Sequence, residues 1–169
     1  MNNTVSAKII IEKFALSPHP EGGYFRENYR ASEVIPAVSL PCRFNGERNY
    51  STAIYFLLER DSFSAFHTIR SDECWHFYAG DTLLVHLIHL DGRAETITLG
   101  GDIIMGEQVQ AIVPAGCWFA AEPAPGSAYA FVGCTVAPGF DFKDFQLADK
   151  AVLAEQFPRH ATITHRLTR

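Results

Sequence analysis

Apolar and polar residues alternate along residues 24–30, and from Tyr50 onward the apolar pattern is almost entirely that of β-strands. Short runs rich in β-branched and aromatic residues are separated by turns that contain Gly, Pro or Asp-Gly. The predicted strands are residues 24–30, 51–58, 82–90, 93–99, 109–113, 118–121 and 129–136, with two further extended runs between 61 and 80. Many short strands with such turns are typical of a sandwich or a barrel, so the predicted fold class is all-β.

The spacing of apolar residues becomes helical near both ends of the chain. Residues 6–15 and 148–157 predict two amphipathic helices. Thr4 or Ser6 can cap the first helix, and Pro158 ends the second. We expect both helices to pack outside a β core of about residues 20–145, within a single domain that spans residues 1–169.

Composition and charge exclude several classes of partner. The 19 acidic residues outnumber the 14 Lys and Arg, and a net charge of −5 argues against a nucleic-acid-binding surface. No apolar run approaches the ~20 residues that span a bilayer, so no membrane partner is expected. The four cysteines are far apart and are expected to be reduced. Since the first residues also lack the basic and apolar regions of a secretory signal, the sequence predicts a cytoplasmic location.

The stretch from Asp61 to Gly80 contains the chemistry that stands out most in the sequence. Its His67 and Glu73 are six residues apart on two extended runs joined at a Ser-Asp step. The spacing resembles the first motif of the cupin family, G-x5-H-x-H-x3-E-x6-G, with His67, Glu73 and Gly80 on the matching positions. Asp61 replaces the opening glycine of the motif, and Ile69 replaces its second histidine.

A second cupin motif, G-x5-P-x-G-x2-H-x3-N, is also partly present. Pro114-Ala115-Gly116 matches its P-x-G turn. Phe119 stands at the position of its histidine, Pro123 at that of its asparagine and Gln108 at that of its opening glycine.

A closer resemblance extends over residues ~18–150. It is carried by His19-Pro-Glu-Gly-Gly-Tyr-Phe-Arg-Glu, Ser71-Asp-Glu-Cys-Trp-His-Phe-Tyr-Ala-Gly, Val113-Pro-Ala-Gly-Cys-Trp-Phe and Pro138-Gly-Phe-Asp-Phe. These segments are similar to the cupin-5 family. The resemblance implies a cupin double-stranded β-helix (jelly-roll barrel), usually paired into homodimers, with no assigned reaction. The chain more distantly resembles the sugar-nucleotide 3,5-epimerases, whose catalytic histidine lies on the strand that corresponds to the one bearing His67.

The resemblance also implies where a metal would bind, since a typical cupin site uses three histidines and one glutamate. Because alternate residues of a strand share a face, His67 and Ile69 both point inward, as does Glu73 at the start of the next strand. Phe119 takes the place of the remaining histidine. Catalytic metal sites normally have at least three protein ligands, so we expect no metal cofactor, although His67 and Glu73 leave metal binding open.

His76 and His86 are the candidates for a third ligand. Strict alternation from Glu73 sends His76 outward, and a bulge would be needed to reverse it. His76 is therefore either a ligand-binding residue or a residue that bridges strands or contacts a partner chain.

Without a metal, His67 and Glu73 predict acid–base catalysis. A carboxylate beside an imidazole stabilises the imidazolium and fixes its tautomer. Arg26 or Arg70 could bind an anionic group, although a structural ion pair explains Arg26 equally well. Ile69, Trp75 and Phe119 would provide the wall of a ligand pocket, and the sequence does not separate a wall position from a core position for Trp75.

The predicted function is a metal-independent enzyme, of the isomerase or epimerase type, acting on a carbohydrate or another small polar ligand. One alternative is a non-catalytic binding protein that uses the same pocket, and another is a metal-dependent cupin such as a dioxygenase.

The 31–49 segment is predicted as a long loop, a lid or a contact surface, and a two-fold homodimer is expected. Asp141-Phe-Lys-Asp144 is predicted as a solvated turn.

Overall fold

A computed structural model describes residues 5–169, in which the chain forms thirteen β-strands and three α-helices. The strands are β1 (Ser17–Pro18), β2 (Tyr24–Arg30), β3 (Val34–Ile35), β4 (Arg48–Asn49), β5 (Thr52–Glu59), β6 (Ser64–Thr68), β7 (Asp72–Gly80), β8 (Leu83–Ile88), β9 (Ala94–Leu99), β10 (Gln110–Val113), β11 (Trp118–Pro123), β12 (Tyr129–Ala137) and β13 (Gln146–Leu147). The helices are α1 (Ala7–Phe14), α2 (Lys150–Gln156) and α3 (Ala161–Arg166). Each strand predicted by periodicity is present, with ends that differ by at most two residues.

Two antiparallel sheets form the body of the molecule. The first has the order β1-β2-β5-β12-β7-β10 and the second β13-β6-β11-β8-β9, while β3 and β4 form a separate ribbon. Inward-facing side chains of both sheets, including Phe56, Trp75, Val85 and Phe119, share one apolar core. Within residues 5–169 the two sheets are not joined into a closed hydrogen-bonded barrel, so the predicted jelly roll consists of two packed sheets.

The helices cover the outer faces of the sheets. Ser6 caps α1 by accepting a hydrogen bond from the Ile9 amide, whereas Thr4 lies outside the described residues, as do residues 1–3. Ile10 of α1 packs with Leu57 and Phe131 on the six-stranded sheet.

The C-terminal helices cover the five-stranded sheet, where Leu153, Phe157 and Leu167 pack against Phe66 and Ile88. The short α3 follows Pro158 and was not predicted from the sequence. In the part of the chain that the structure describes, every helix is too short or too polar to cross a membrane.

The segment 31–49 is more ordered than the predicted loop. It contains β3, a turn of 3₁₀ helix at Ala37–Ser39 and β4. Arg48 of β4 is buried, and its guanidinium bonds both carboxylate oxygens of Asp144 at 2.7 Å. The predicted solvated turn at 141–144 is therefore wrong at Asp144, which is 6% exposed.

Candidate functional site

A cavity of about 320 Å³ lies against the inner face of the sandwich. Residues of both sheets contribute to its wall, together with the turn before β2 and the segment 140–145. Most of the wall is apolar, and the titratable side chains among the lining residues are His19, Glu21, Glu27, Arg30, His67, Glu73, Cys134 and Asp141. A concave, mainly apolar space with a few converging polar groups is typical of a small-molecule site.

His67, on β6, exchanges protons through a single ring nitrogen. Its Nδ1 lies 2.7 Å from the carbonyl oxygen of Ala65, and since a carbonyl only accepts, Nδ1 carries the hydrogen. Nε2 is therefore the atom of the neutral ring that can take up a proton. Burial lowers the pKa of His67, while the charge of Glu73 and the bond to Ala65 oppose this effect.

Glu21 is the nearest carboxyl group to that nitrogen. Its Oε2 lies 3.2 Å from Nε2 of His67 and 3.3 Å from Nδ1 of His19, and its Oε1 accepts a hydrogen bond from Ser64 Oγ at 2.8 Å. Burial raises the pKa of Glu21, which His19, Ser64 and Arg169 partly oppose. Because burial favours the neutral form of both groups, one shared proton between Glu21 and His67 is the stable arrangement.

Two glycines place Glu21 in the cavity. Gly22 has φ of +116°, and a Cβ there would lie 2.2 Å from the Phe63 carbonyl oxygen. Gly23 has φ of +72°, and a Cβ there would lie 2.7 Å from the Leu57 carbonyl oxygen. The turn can approach the neighbouring backbone this closely only because both side chains are absent.

Glu73, at the start of β7, is the second buried carboxyl group of the cavity. Burial raises its pKa to about 7, against the opposing effect of His67, while Glu21 raises it further and the Cys134 thiol lowers it. A carboxyl group with a pKa near neutrality can act as an acid or as a base at the same pH. Cys134 itself is held in the thiol form, because burial raises its pKa well above the ordinary value.

The residues at the two missing histidine positions make the site a poor fit for a metal of the cupin type. Ile69 lines the cavity, and Phe119 pairs with His67 across β6 and β11 with ring centroids 4.0 Å apart. Among the residues that the structure describes, no three His, Cys, Asp or Glu side chains are grouped so as to hold a metal ion. An aliphatic and an aromatic side chain supply no donor atom, so the absence of a metal cofactor remains our prediction.

Arg30, rather than the predicted Arg26, is the arginine of the cavity wall. The Arg26 guanidinium lies outside the cavity and donates to the Phe14 carbonyl at 3.1 Å, because its strand neighbours Phe25 and Glu27 are the ones that face inward. Arg70 also lies outside and donates to the Arg43 carbonyl at 2.6 Å. The sequence identified the strand but not which of its faces points inward.

Three other predicted ligand-binding residues, His76, Trp75 and Phe119, lie outside the cavity wall. His76 lies on the outer face, where its Nε2 is 3.0 Å from Thr135 Oγ1 and its Nδ1 is 3.0 Å from Gln110 Nε2. Trp75 is 1% exposed and packs edge-on against Phe56 and Phe119, which places it in the core behind the wall.

His19 and Glu21 were not identified as site residues from the sequence. The available signal was the presence of two titratable residues in a Gly-rich turn directly before a strand expected to line the pocket. Their closeness to His67 depends on a contact between residues more than 40 positions apart, which no local pattern encodes.

The family model described as Cupin superfamily (DUF985) matches residues 8–148 of this chain. The protein belongs to this cupin-5 family. The cupin is 30% identical to the uncharacterized protein YML079W of Saccharomyces cerevisiae over 148 aligned residues. The aligned region covers 82% of this chain and 73% of the yeast protein.

Two solved structures share the fold of this cupin and confirm the jelly-roll prediction. Protein SO0799 from Shewanella oneidensis is 34% identical and superposes with a TM-score of 0.88, over 98% of this chain and 99% of that one. A hypothetical protein from Leishmania major is 32% identical with a TM-score of 0.87, over 97% and 99% of the two chains.

Proposed function

We propose that this cupin is a metal-independent enzyme of the isomerase or epimerase type, which moves a proton on a small polar ligand such as a carbohydrate derivative. The observation that carries the proposal is the pair His67 and Glu73, which share one buried cavity with Glu21. The side chains of both members of the pair are buried.

The reaction divides between the two groups. One of them removes a proton from the carbon next to a carbonyl group, so that the C–H electron pair becomes part of an enolate. The other returns a proton to the same carbon from the opposite face or to its neighbour. Glu73, with a pKa of about 7, is suited to either role near neutral pH.

Glu21 and Ser64 act through His67 rather than on the ligand. The hydrogen bond from Ser64 holds the carboxyl group of Glu21 against Nε2 of His67. When the proton shared with Glu21 lies on Nε2, the Glu21 carboxylate at 3.2 Å stabilises the imidazolium. Glu21 is thus a positioning residue in the proposed mechanism.

Deuterium exchange tests this function whichever product is formed. A panel of aldoses, ketoses and amino sugars is incubated with the protein in D₂O, and mass spectrometry measures deuterium at the carbon next to the carbonyl group. We expect incorporation for at least one member, reduced by about 10²–10⁴-fold in His67→Gln and Glu73→Gln. His76→Gln is the matched control, since His76 lies on the other face of the same strand as Glu73.

Two results would contradict the proposed enzymatic function. One is binding of a panel member with no exchange above the protein-free rate, which would favour the non-catalytic binding protein. The other is exchange that His67→Gln and His76→Gln reduce equally, because the proposal assigns no role to His76.

A further inference from the structure

The single guanidinium among the cavity-lining residues in the range 5–169 has no donor left for a ligand. Arg30 Nε bonds Glu27 Oε1 at 2.9 Å and Nη2 bonds Glu27 Oε2 at 2.7 Å. Nη1 bonds Asn49 Oδ1 at 2.8 Å, and both terminal nitrogens bond the Phe140 carbonyl at 3.2 Å. These contacts engage all five N–H groups of the side chain. A phosphate or carboxylate group would therefore find no free arginine among these lining residues.

The remaining charged groups of the wall are acidic. Asp141 lines the same cavity as the Glu27–Arg30 pair, in which the two charges cancel. Glu21 and Glu73 also line it, and burial favours the neutral form of both. Burial lowers the pKa of both His19 and His67, so neither imidazole compensates for these carboxyl groups at neutral pH. An anionic ligand would be repelled, and a cationic one attracted.

Aromatic rings surround the same space. Phe140, Phe142 and Phe145 stand edge-on to one another, with centroid distances of 5.0, 6.2 and 6.0 Å. His19 is stacked at 6.2 Å on Phe142, which is 55% exposed and so stands at the mouth of the cavity beside Asp141. Rings packed at such angles present both faces and edges to the cavity, and a cation that reaches a ring face is attracted by it.

We infer that the ligand of this cavity carries a positively charged group, such as an ammonium, which the rings of 140–145 and the carboxylate of Asp141 bind. This inference rests on the proposed function, because it concerns the substrate of the same site. It narrows the proposed substrate class from small polar ligands in general to cationic ones. An uncharged ligand would gain at most a hydrogen bond to Asp141, and an anionic ligand would be repelled by it.

Three small molecules of nearly the same shape test the charge preference. Choline carries a trimethylammonium group, 3,3-dimethylbutan-1-ol replaces its nitrogen by carbon, and 3,3-dimethylbutanoate carries a negative charge. Each is titrated into the protein at low ionic strength and followed by calorimetry. We expect saturable binding of choline with a dissociation constant about tenfold below that of the alcohol, and no detectable binding of the carboxylate.

Two variants at the mouth of the cavity test which groups bind the cation. Asp141→Asn removes a charge but keeps the oxygen that accepts from the Lys143 amide. Phe142→Leu removes an aromatic ring and leaves an apolar side chain at a position that is 55% exposed. We expect each to weaken choline binding by about threefold to tenfold and to leave the alcohol unchanged.

Asp91→Asn is the matched control for Asp141→Asn. Asp91 accepts a hydrogen bond from the Arg93 amide in the same local geometry, on a hairpin that does not line the cavity. Its replacement is expected to leave choline binding unchanged.

Three outcomes would overturn the inference: no saturable choline binding, binding of the alcohol or the carboxylate as tight as that of choline, or equal loss in Asp141→Asn and Asp91→Asn. The titration requires no turnover, so it fails separately from the proposed function. Choline binding without deuterium exchange would reject the enzyme alone, while exchange on uncharged sugars without choline binding would reject the cationic ligand alone.

Discussion

At the scale of single residues, the decisive groups are side chains whose charged forms are disfavoured by burial. Glu73 is 7% exposed and His67 is 3% exposed. A buried carboxyl group keeps its proton at pH values where an exposed one has lost it. The burial that makes Glu73 a suitable acid or base therefore also lowers the free energy of unfolding, by an amount that depends on pH.

Replacement of Glu73 by Gln is expected to change how stability depends on pH. Below pH 4.5 the carboxyl group is protonated in both the folded and the unfolded chain, and burial adds no cost. As the pH rises towards about 7, the unfolded chain releases this proton while the folded chain retains it, so stability falls. Above that range the folded protein carries a buried charge, which costs up to about 3 kcal/mol.

Urea unfolding at pH 5 and pH 8 measures this effect. Glu73→Gln should gain stability relative to the wild type as the pH rises, by up to about 3 kcal/mol between the two conditions. Glu47→Gln, at an exposed position, should follow the wild type at both. Parallel pH profiles for Glu73→Gln and the wild type would contradict the raised pKa.

The sequence was sufficient to predict His67 and Glu73 as site residues but not Glu21, and the difference has a physical reason. The positions of His67 and Glu73 in the cavity were expected from the spacing of the cupin motif together with strand alternation, and both are local properties of the chain. Glu21 lies in a turn, where no periodicity fixes the direction of a side chain. Its approach to Ser64 and His67 arises only when the sheets have packed.

At the scale of elements, the segment 140–145 depends on a buried ion pair for its position. It carries three of the rings of the cavity wall, and its Asp144 bonds Arg48 of β4 through both oxygens. The two side chains are 2% and 3% exposed, so neither charge is well solvated. The pair thus connects the ribbon formed by β3 and β4 to the cavity wall.

Asp144→Asn is expected to destabilise the protein by about 3–5 kcal/mol, because it leaves the guanidinium of Arg48 buried without a counter-charge. Urea unfolding measures the loss. Asp149→Asn is the control, since Asp149 caps α2 at an exposed position and Asn caps a helix equally well. A loss below about 1 kcal/mol in Asp144→Asn would show that the pair does not hold the segment.

Periodicity predicted the strands and two helices well, since both patterns are local. It did not predict α3, whose single turn and a half contains too few residues to show a helical repeat. It also misjudged Asp144, because an acidic residue in a turn is usually solvated and its buried partner lies 96 residues away.

At the scale of the whole molecule, several apolar surfaces of the sandwich remain uncovered. Ile103, Ile104 and Met105 protrude with 69%, 96% and 79% of their surface exposed, and Ile112 is 54% exposed on the edge strand β10. Exposed apolar groups and free strand edges are commonly buried by association. The strand pattern was sufficient to predict a fold of packed β-sheets. It was not sufficient to predict which apolar surfaces stay exposed, because that depends on which sheet faces the helices cover.

The homodimer predicted from the sequence is tested by light scattering. We expect twice the mass of the chain at micromolar concentrations, because a two-fold pairing buries the same apolar surface on both copies. A fall to the mass of one chain on dilution would give the dissociation constant. The mass of a single chain throughout the micromolar range would contradict the dimer.

The close packing of Phe119 and Phe145 on His67 has a spectroscopic consequence. Their centroids lie 4.0 and 5.3 Å from that of the imidazole, so their ring currents act on its carbon-bound protons. The resonances of His67 should therefore be displaced from those of the other six histidines of the chain. Nuclear magnetic resonance can then follow protonation at the centre of the cavity directly, without a substrate and without a label.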